Sequence, residues 1–284
     1  QVSSIAVDFH LDVYIFDCDT RVIQRVECQI DDRIQNDLWN TQDKIELQIF
    51  WRESSEEVIV AFHDHSNTIL GVKISELNVG ERRQSFLTHV RLIHKSCLSE
   101  MFVWSHVFFD AQKDQMLFVT STAINQKSYF EIRRAPLDTN SELPRIGKGR
   151  KSHYRWRSPS TAVCFDRDTR RILFFGGVNF DAPLPLQATN DFFSFSVDEE
   201  KWRKINCPEK PSPRMAPPQC LYHQYWFIGG NDLWVYSIEK NRWKKLSSPQ
   251  NKWNNCIDRI VVFRSSSREM RALCARLDDH SSCL

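Results

Sequence analysis

The chain has 284 residues, of which 41% are hydrophobic and 26% charged, and its formal net charge is +2. This composition excludes a disordered chain, because the apolar fraction is large enough to form a core. No run approaches the roughly 18 consecutive apolar residues of a membrane-spanning helix, and the first residues lack the pattern of a signal peptide. We therefore expect a globular protein that makes no membrane contact. Since the sequence begins at Gln1, an upstream segment is left open.

Aromatic and cysteine content indicate the fold class and the compartment. Aromatic residues make up 12% of the chain, against 8 glycines and 4 methionines, a bias that favours strands over helices. The nine cysteines include no CxxC pair, and there is no Asn-x-Ser/Thr acceptor. Neither a structural zinc site nor a disulfide framework is therefore indicated. We predict an all-β protein with free thiols in an intracellular compartment, cytoplasmic or nuclear.

Repeated hairpins organise the chain. Three segments align without a gap, namely VYIFDCDTRVIQRV from Val13, FFSFSVDEEKWRKI from Phe192 and LWVYSIEKNRWKKL from Leu233. Each has an apolar strand, a polar turn and then a large side chain at one fixed place, which is Ile23, Trp202 or Trp243. Such a pattern predicts antiparallel hairpins that use one packing position repeatedly.

A second hairpin type predicts how the sheets are covered. HVFFDAQKDQMLFVTS overlays AVCFDRDTRRILFFGG, with Asp110 matching Asp166 at the turn. These strands are apolar on both faces, so both faces must be covered. No helical period lasts long enough to supply covering helices, and the sheets must therefore cover one another. Radially stacked four-stranded sheets do this in a β-propeller, and a large sandwich is the alternative.

Two glycine doublets carry a family resemblance. Gly176-Gly177 and Gly229-Gly230 each end an apolar strand, and each is followed by an aromatic strand and then Trp202 or Trp243. This pattern resembles kelch repeats and is specific over about residues 160 to 246. Elsewhere it is degenerate, since Thr120-Ser121 stands where a doublet belongs. The resemblance implies a propeller that serves as a substrate receptor, cytoskeletal scaffold or assembly platform.

The predicted organisation is a single kelch-like propeller domain over residues 1–284. Its complete four-stranded blades are predicted at about 45–87, 102–146, 160–205 and 219–246. The leftover N-terminal hairpin (5–26) and C-terminal hairpin (257–275) are complementary halves, so we predict that they pair in a composite blade and close a five-bladed ring. Six blades are the alternative, with an irregular blade in residues 31–44 or one completed by the tail.

The long connections are predicted to lie on one face of the ring. In a propeller, the loops between strands two and three and between strands four and one emerge together, and here they are the long ones. They include residues 63–67, 145–157, 177–190 and 206–218. Long loops on a rigid scaffold are the usual place for binding, so we expect the functional surface there.

The segment RIGKGRKSHYRWR (145–157) carries six Lys and Arg residues and no acid. Its cations can pair with carboxylates or phosphates. Phe180, in the long connection 177–190, is an apolar residue that no strand would bury. The predicted partner-binding residues are Lys148, Arg150, Lys151, His153, Arg155, Arg157, Asn179, Phe180 and Asp181. The alternatives are a solvated loop whose Trp156 packs on the next blade, and a Phe180 that folds over the pore.

Other kinds of site are weakly supported. His63-Asp64-His65 offers metal ligands without a third histidine, so we expect no metal and no cofactor. There is no GxSxG nucleophile elbow, and Asp181 and Asp191 cannot be paired as glycosidase carboxylates from sequence. We therefore predict a non-catalytic adaptor, scaffold or substrate receptor that binds an acidic peptide or protein. The alternatives are an enzyme or small-ligand site in the central channel, and an RNA-binding propeller. The oligomeric state is left open.

Overall fold

The structure is a computed structural model. It describes residues 11–17, 22–29, 46–55, 57–63, 68–73, 86–95, 103–124, 127–137, 145–146, 160–179, 187–246, 259–264 and 270–275. Over these residues the predicted all-β class is confirmed, because they form strands and turns with one short 3-10 turn at Glu53–Ser55. No helix in the described part of the chain is long and apolar enough to cross a membrane.

The chain divides into two compact units, one of residues 1–120 and 132–145 and the other of residues 121–131 and 146–284. The first unit contains a six-stranded sheet of order β1-β2-β6-β5-β4-β3. Its strands are β1 (Leu11–Asp17), β2 (Val22–Gln29), β3 (Glu46–Arg52), β4 (Glu57–His63), β5 (Thr68–Lys73) and β6 (Phe86–Lys95).

The described strands show how each terminal hairpin pairs. The β1–β2 hairpin is antiparallel, as its sequence predicts, and β2 then pairs in parallel with β6, with Val26 opposite Phe86. The C-terminal strands β21 (Arg259–Arg264) and β22 (Met270–Ala275) form a two-stranded sheet. In the composite blade, β22 would pair with β1, which is the edge strand of the six-stranded sheet. That blade stays a prediction.

Three further sheets have four strands each, and in the second and third of them all neighbouring strands are antiparallel. The first has the order β10-β9-β8-β7, the second β11-β12-β15-β16 and the third β17-β18-β19-β20. The first comprises β7 (Val103–Asp110), β8 (Gln115–Ile124), β9 (Lys127–Pro136) and β10 (Arg145–Ile146). The second comprises β11 (Ala162–Asp166), β12 (Arg171–Phe175), β15 (Phe192–Ser196) and β16 (Lys201–Lys204). The third comprises β17 (Gln219–Tyr222), β18 (Tyr225–Ile228), β19 (Leu233–Ser237) and β20 (Arg242–Leu246).

Short turns of one design close many of these hairpins. Four-residue turns end on a non-glycine residue with positive φ, at Asp114 (49°), Arg170 (49°), Glu200 (52°) and Asn241 (49°). Side-chain oxygens at the starts of three turns accept backbone N–H groups. Asp166 accepts from Asp168, Ser196 from Glu199 and Ser237 from Lys240. These bonds satisfy donors that the ladder leaves unpaired, so the turns are compact without glycine.

Burial decreases from the first strand of the second sheet to its last. All five residues of β11 are buried, as are four residues each of β12 and β15, whereas β16 exposes all its residues but the half-buried Trp202. Successive strand residues point to opposite faces, so β11, β12 and β15 are covered on both faces. This explains why their sequences lack a polar alternation.

An aromatic cluster joins the second and third sheets. Trp243 is 4% exposed and lies at its centre, although it comes from the outer strand β20. The rings around it are Phe175, Phe192, Trp226 and Tyr236, whose centroids lie 5.1, 5.4, 6.0 and 5.0 Å from that of Trp243. Tilted contacts at these distances add to the free energy of area burial.

We predict that Trp243→Ala lowers the free energy of unfolding by about 3 to 5 kcal/mol, because it removes a large buried ring and leaves a cavity among four aromatic side chains. Urea denaturation followed by circular dichroism measures the change. Trp202→Ala is the matched control at the same repeat position, and we expect a smaller loss because Trp202 is only half-buried. A loss below about 1 kcal/mol for Trp243→Ala would contradict the central role of this ring.

Candidate functional site: the loop cluster around Arg214

Most of the predicted partner-binding residues lie outside the described residues. These are Lys148, Arg150, Lys151, His153, Arg155, Arg157, Phe180 and Asp181. Asn179 is described at the end of the short strand β13 (Val178–Asn179), where it pairs with Gln187 of β14 (Gln187–Ala188). Of the metal candidate, His63 ends β4, and Asp64 and His65 lie outside. The structure describes the ends of these long connections, where they join the strands.

Two of the long connections are bonded to each other through their main chains. The Arg214 N–H donates to the Thr189 carbonyl at 2.9 Å, and the Arg214 carbonyl accepts from the Gly177 N–H at 2.9 Å. The Thr189 N–H in turn donates to the Gly177 carbonyl at 2.8 Å. At Arg214, the connection 206–218 is therefore bonded in antiparallel fashion to Thr189, the residue after β14. Both connections are among the long ones on which the binding surface is predicted to lie.

A third connection ends at the same place. The Ala216 N–H donates to the Ser160 carbonyl at 2.6 Å, and Ser160 follows Arg157, the last cation of the basic segment, by three positions. The Asn190 side chain also donates to the Pro211 carbonyl at 3.4 Å. We call Ser160 together with residues 177–179, 187–190 and 206–218 the loop cluster. Its main-chain bonds fix the backbone of one continuous surface.

The Arg214 side chain attaches the loop cluster to the third sheet. This residue is 8% exposed. Its Nη1 donates to the Gly229 carbonyl at 2.7 Å and to the Asp232 carbonyl at 3.1 Å. Its Nη2 donates to the Asp232 carboxylate and to the Ser212 hydroxyl. A planar guanidinium with several fixed donors satisfies this arrangement, which a lysine could not reproduce.

Both glycine doublets make room for Arg214. Gly176 has φ +77°, and a Cβ there would lie 2.6 Å from the Arg214 carbonyl oxygen. Gly230 has φ +143°, and a Cβ there would lie 3.1 Å from Arg214 Nη1. One doublet therefore admits the backbone of Arg214 and the other admits its guanidinium. The doublets are needed for a close approach as well as for a turn.

The Asp232 carboxylate balances the buried cation. Burial alone would raise the pKa of Asp232, but hydrogen bonds from Arg214 and Lys245 together with the Arg214 charge hold the pKa below its usual value of 3.8. Lys245 Nζ lies 3.0 Å from the second carboxylate oxygen. Asp232 is therefore ionised at neutral pH, and the pair stabilises the attachment of the loop cluster.

The outer side of the loop cluster is accessible. Gln187, Ala188, Ser212, Pro213 and Ala216 are exposed. Met215, between the buried Arg214 and Ala216, is 58% exposed. A rigid backbone that presents mixed polar and apolar side chains is suited to contacts with another chain.

The described residues include possible metal ligands and two thiols with shifted pKa values. They contain no group of three or more His, Cys, Asp or Glu side chains placed to hold a metal ion. Burial raises the pKa of the Cys164 thiol, and the nearby Asp166 charge raises it further. Burial likewise raises the pKa of Cys207, with Lys210 opposing the change. The raised pKa keeps both thiols protonated at neutral pH, whereas a nucleophilic thiol needs a lowered pKa.

Arg214 is the functional residue that sequence reasoning missed. The connection at 206–218 was predicted to lie on the binding face, but no residue within it was selected. The available signal was a single arginine among the prolines of PSPRMAPP, placed ahead of an apolar strand that ends in a glycine doublet. Its partners are mainly carbonyl groups, which every residue carries, so residue types alone do not reveal them.

We predict that Gly176→Ala lowers the free energy of unfolding by about 2 to 4 kcal/mol, because the new Cβ meets a backbone oxygen and the residue must keep a positive φ. Thermal and urea denaturation measure the loss. Gln187→Ala, in the exposed strand β14, is the control and should change stability by no more than about 0.5 kcal/mol. Equal stability of the two variants would show that the close approach at Gly176 is absent.

We predict that Asp232→Asn destabilises the fold at pH 7 by about 1 to 3 kcal/mol, because the buried guanidinium loses its charged partner. The folded pKa of Asp232 is depressed, so its contribution is complete above the unfolded value of 3.8 and is lost as pH falls through the folded value. The stability difference between wild type and Asp232→Asn should therefore narrow below about pH 4. Urea denaturation at pH 7 and pH 3 tests this, and a constant difference would contradict it.

Comparisons with known proteins leave the family open. No family model matches the chain, and no curated protein matches it. Among solved structures, one described as "Structure of YjhT" is similar at a TM-score of 0.37 and 10% sequence identity, and the match covers 48% of this chain and 48% of that one. The chain thus spans about half the length of the solved structure that it resembles.

Proposed function

We propose that this protein is a non-catalytic interaction module that binds an acidic peptide or protein on its loop cluster. The observation that carries the proposal is the set of main-chain hydrogen bonds that joins the ends of three long connections, including Ser160, three positions after the basic segment. Long loops on a rigid scaffold are typical binding elements, and here their ends are bonded to one another. An adaptor, scaffold or substrate receptor needs a surface of this kind.

The proposed fold is a kelch-like propeller in which the four-stranded sheets are blades, five or alternatively six in number. Two features support it. The second and third sheets are antiparallel, successive in the chain and packed through shared aromatic rings. Both glycine doublets lie against one arginine on the connection between these sheets. In a propeller, the loops from strand four to strand one and from strand two to strand three emerge on one face. The loop cluster consists of loops of these two kinds.

Charge supports an acidic partner. The segment 145–157 carries six cations and no acid, and without those six charges the formal net charge of +2 becomes −4. The positive charge is therefore concentrated next to the loop cluster in sequence. Arginines offer paired donors to carboxylates, and local positive potential speeds the encounter with an acidic chain.

We predict that replacing Arg150, Lys151, Arg155 and Arg157 with Ser weakens binding to Asp- and Glu-rich peptides at least about tenfold, because four complementary charges are lost together. An acidic peptide array followed by fluorescence anisotropy on the strongest binders gives the affinities. The matched control replaces Lys201, Arg203, Arg242 and Lys244, which are exposed on β16 and β20, with Ser. It removes the same charge from the outer strands, so binding should change by less than about threefold.

Equal weakening by the two variants would mean that net charge alone attracts the peptides, and the proposal would fail. The proposal would also fail if partners captured from cell extract were released by nuclease and showed a steep loss of affinity with salt. In that case the partner would be a nucleic acid.

A further inference from the structure

We infer that Met215 is the apolar anchor of the loop cluster, and that the partner is an acidic segment carrying one large apolar side chain that packs on Met215. This inference rests on the proposed function and adds the chemistry of the partner. Met215 is 58% exposed and is the exposed large hydrophobic residue among the described side chains. A single exposed apolar side chain is common on protein surfaces, and the backbone around Met215 is what distinguishes it.

The backbone on both sides of Met215 is fixed. Before it, Arg214 makes two main-chain bonds, to Thr189 and Gly177, and its side chain is buried. After it, the Ala216 N–H donates to the Ser160 carbonyl, and Pro217 is buried. Met215 is therefore an exposed side chain on a segment whose main chain is bonded on both sides of it. Binding at this point would cost little backbone entropy, which is the usual advantage of a preorganised contact.

The residue after Met215 is strained. Ala216 has φ 45°, in the left-handed region that alanine seldom adopts. Five other described non-glycine residues have positive φ, and each lies in the turn of a hairpin. They are Asp114, Arg170, Glu200, His223 and Asn241. Ala216 closes no hairpin, and its N–H is instead bonded to the Ser160 carbonyl. Backbone strain of this kind is concentrated at functional sites.

The chemistry of the partner follows from the side chain and its neighbours. Methionine is unbranched and polarisable, so it adapts to apolar groups of different shapes. The cation Arg157 is separated from Ser160 by only two residues in the sequence, and Ser160 is bonded to Ala216. A ligand that satisfies both features has carboxylates for the basic segment and an apolar side chain for Met215. An acidic peptide with one Phe or Leu meets this description.

The test uses the intact chain and pairs of synthetic peptides, each pair being an Asp- and Glu-rich sequence with either a central Phe or an Ala in its place. We expect Met215→Ser to weaken binding of the Phe peptides about tenfold, to the affinity of the Ala peptides, as loss of an interface anchor does. Binding of the Ala peptides should be unchanged. Met215→Leu should keep the Phe-peptide affinity within about threefold, because the apolar contact is retained.

Control measurements separate the possible failures. The midpoint of urea denaturation should be the same for both variants and wild type, since Met215 is exposed. If Met215→Ser binds Phe peptides as wild type does while the Ser variant of the basic segment does not, the inference is wrong and the proposed function stands. Equal losses for Met215→Leu and Met215→Ser would also overturn it. If wild type binds neither peptide of any pair, the proposed function itself is wrong.

Discussion

The buried guanidinium of Arg214 is the constraint on which the described surface depends. A cation that is 8% exposed must be paired and fully hydrogen-bonded, and here three carbonyls, a hydroxyl and the Asp232 carboxylate provide the partners. Two of these partner residues, Gly229 and Asp232, lie between β18 and β19 of the third sheet. The main chain of Arg214 is bonded to the segment between β12 and β15 of the second sheet, so one residue fixes the connection between two sheets. The glycine doublets follow from this constraint, since each gives space to a different part of Arg214.

The short turns and the long connections are built on different principles. Turns such as 167–170 and 238–241 close locally, with a side-chain acceptor at the start and a positive φ at the end. The loop cluster closes non-locally, through bonds between segments that are tens of residues apart. A locally closed turn uses most of its few residues for the closure itself. The non-local bonds of the loop cluster use backbone groups, so they do not restrict the type of side chain at those positions. Side chains of the long connections can therefore be replaced without loss of these backbone bonds.

Local features were predictable from the sequence, and non-local pairing was not. The all-β class and individual hairpins such as β1–β2 follow from apolar runs and turn residues, because those signals lie within about 16 residues. The parallel pairing of β2 with β6 joins segments about sixty residues apart, and nothing in either strand specifies its partner. Arg214 was missed for a related reason, since a salt bridge to a residue 18 positions away has no local pattern. Most of the predicted cationic site lies outside the described residues.

In the second unit, the residues that form the buried core are separate from those of the proposed binding surface. The aromatic cluster around Trp243 lies between sheets and contributes no exposed group to the loop cluster, while Met215 contributes nothing to a buried core. Arg214 and the glycine doublets connect the two groups, so they are the positions where a change affects both. The strained conformation of Ala216 is tolerated because bonds and prolines on either side determine it. Exposed side chains of the loop cluster can therefore be changed without unfolding the sheets, provided that Arg214 keeps its hydrogen bonds.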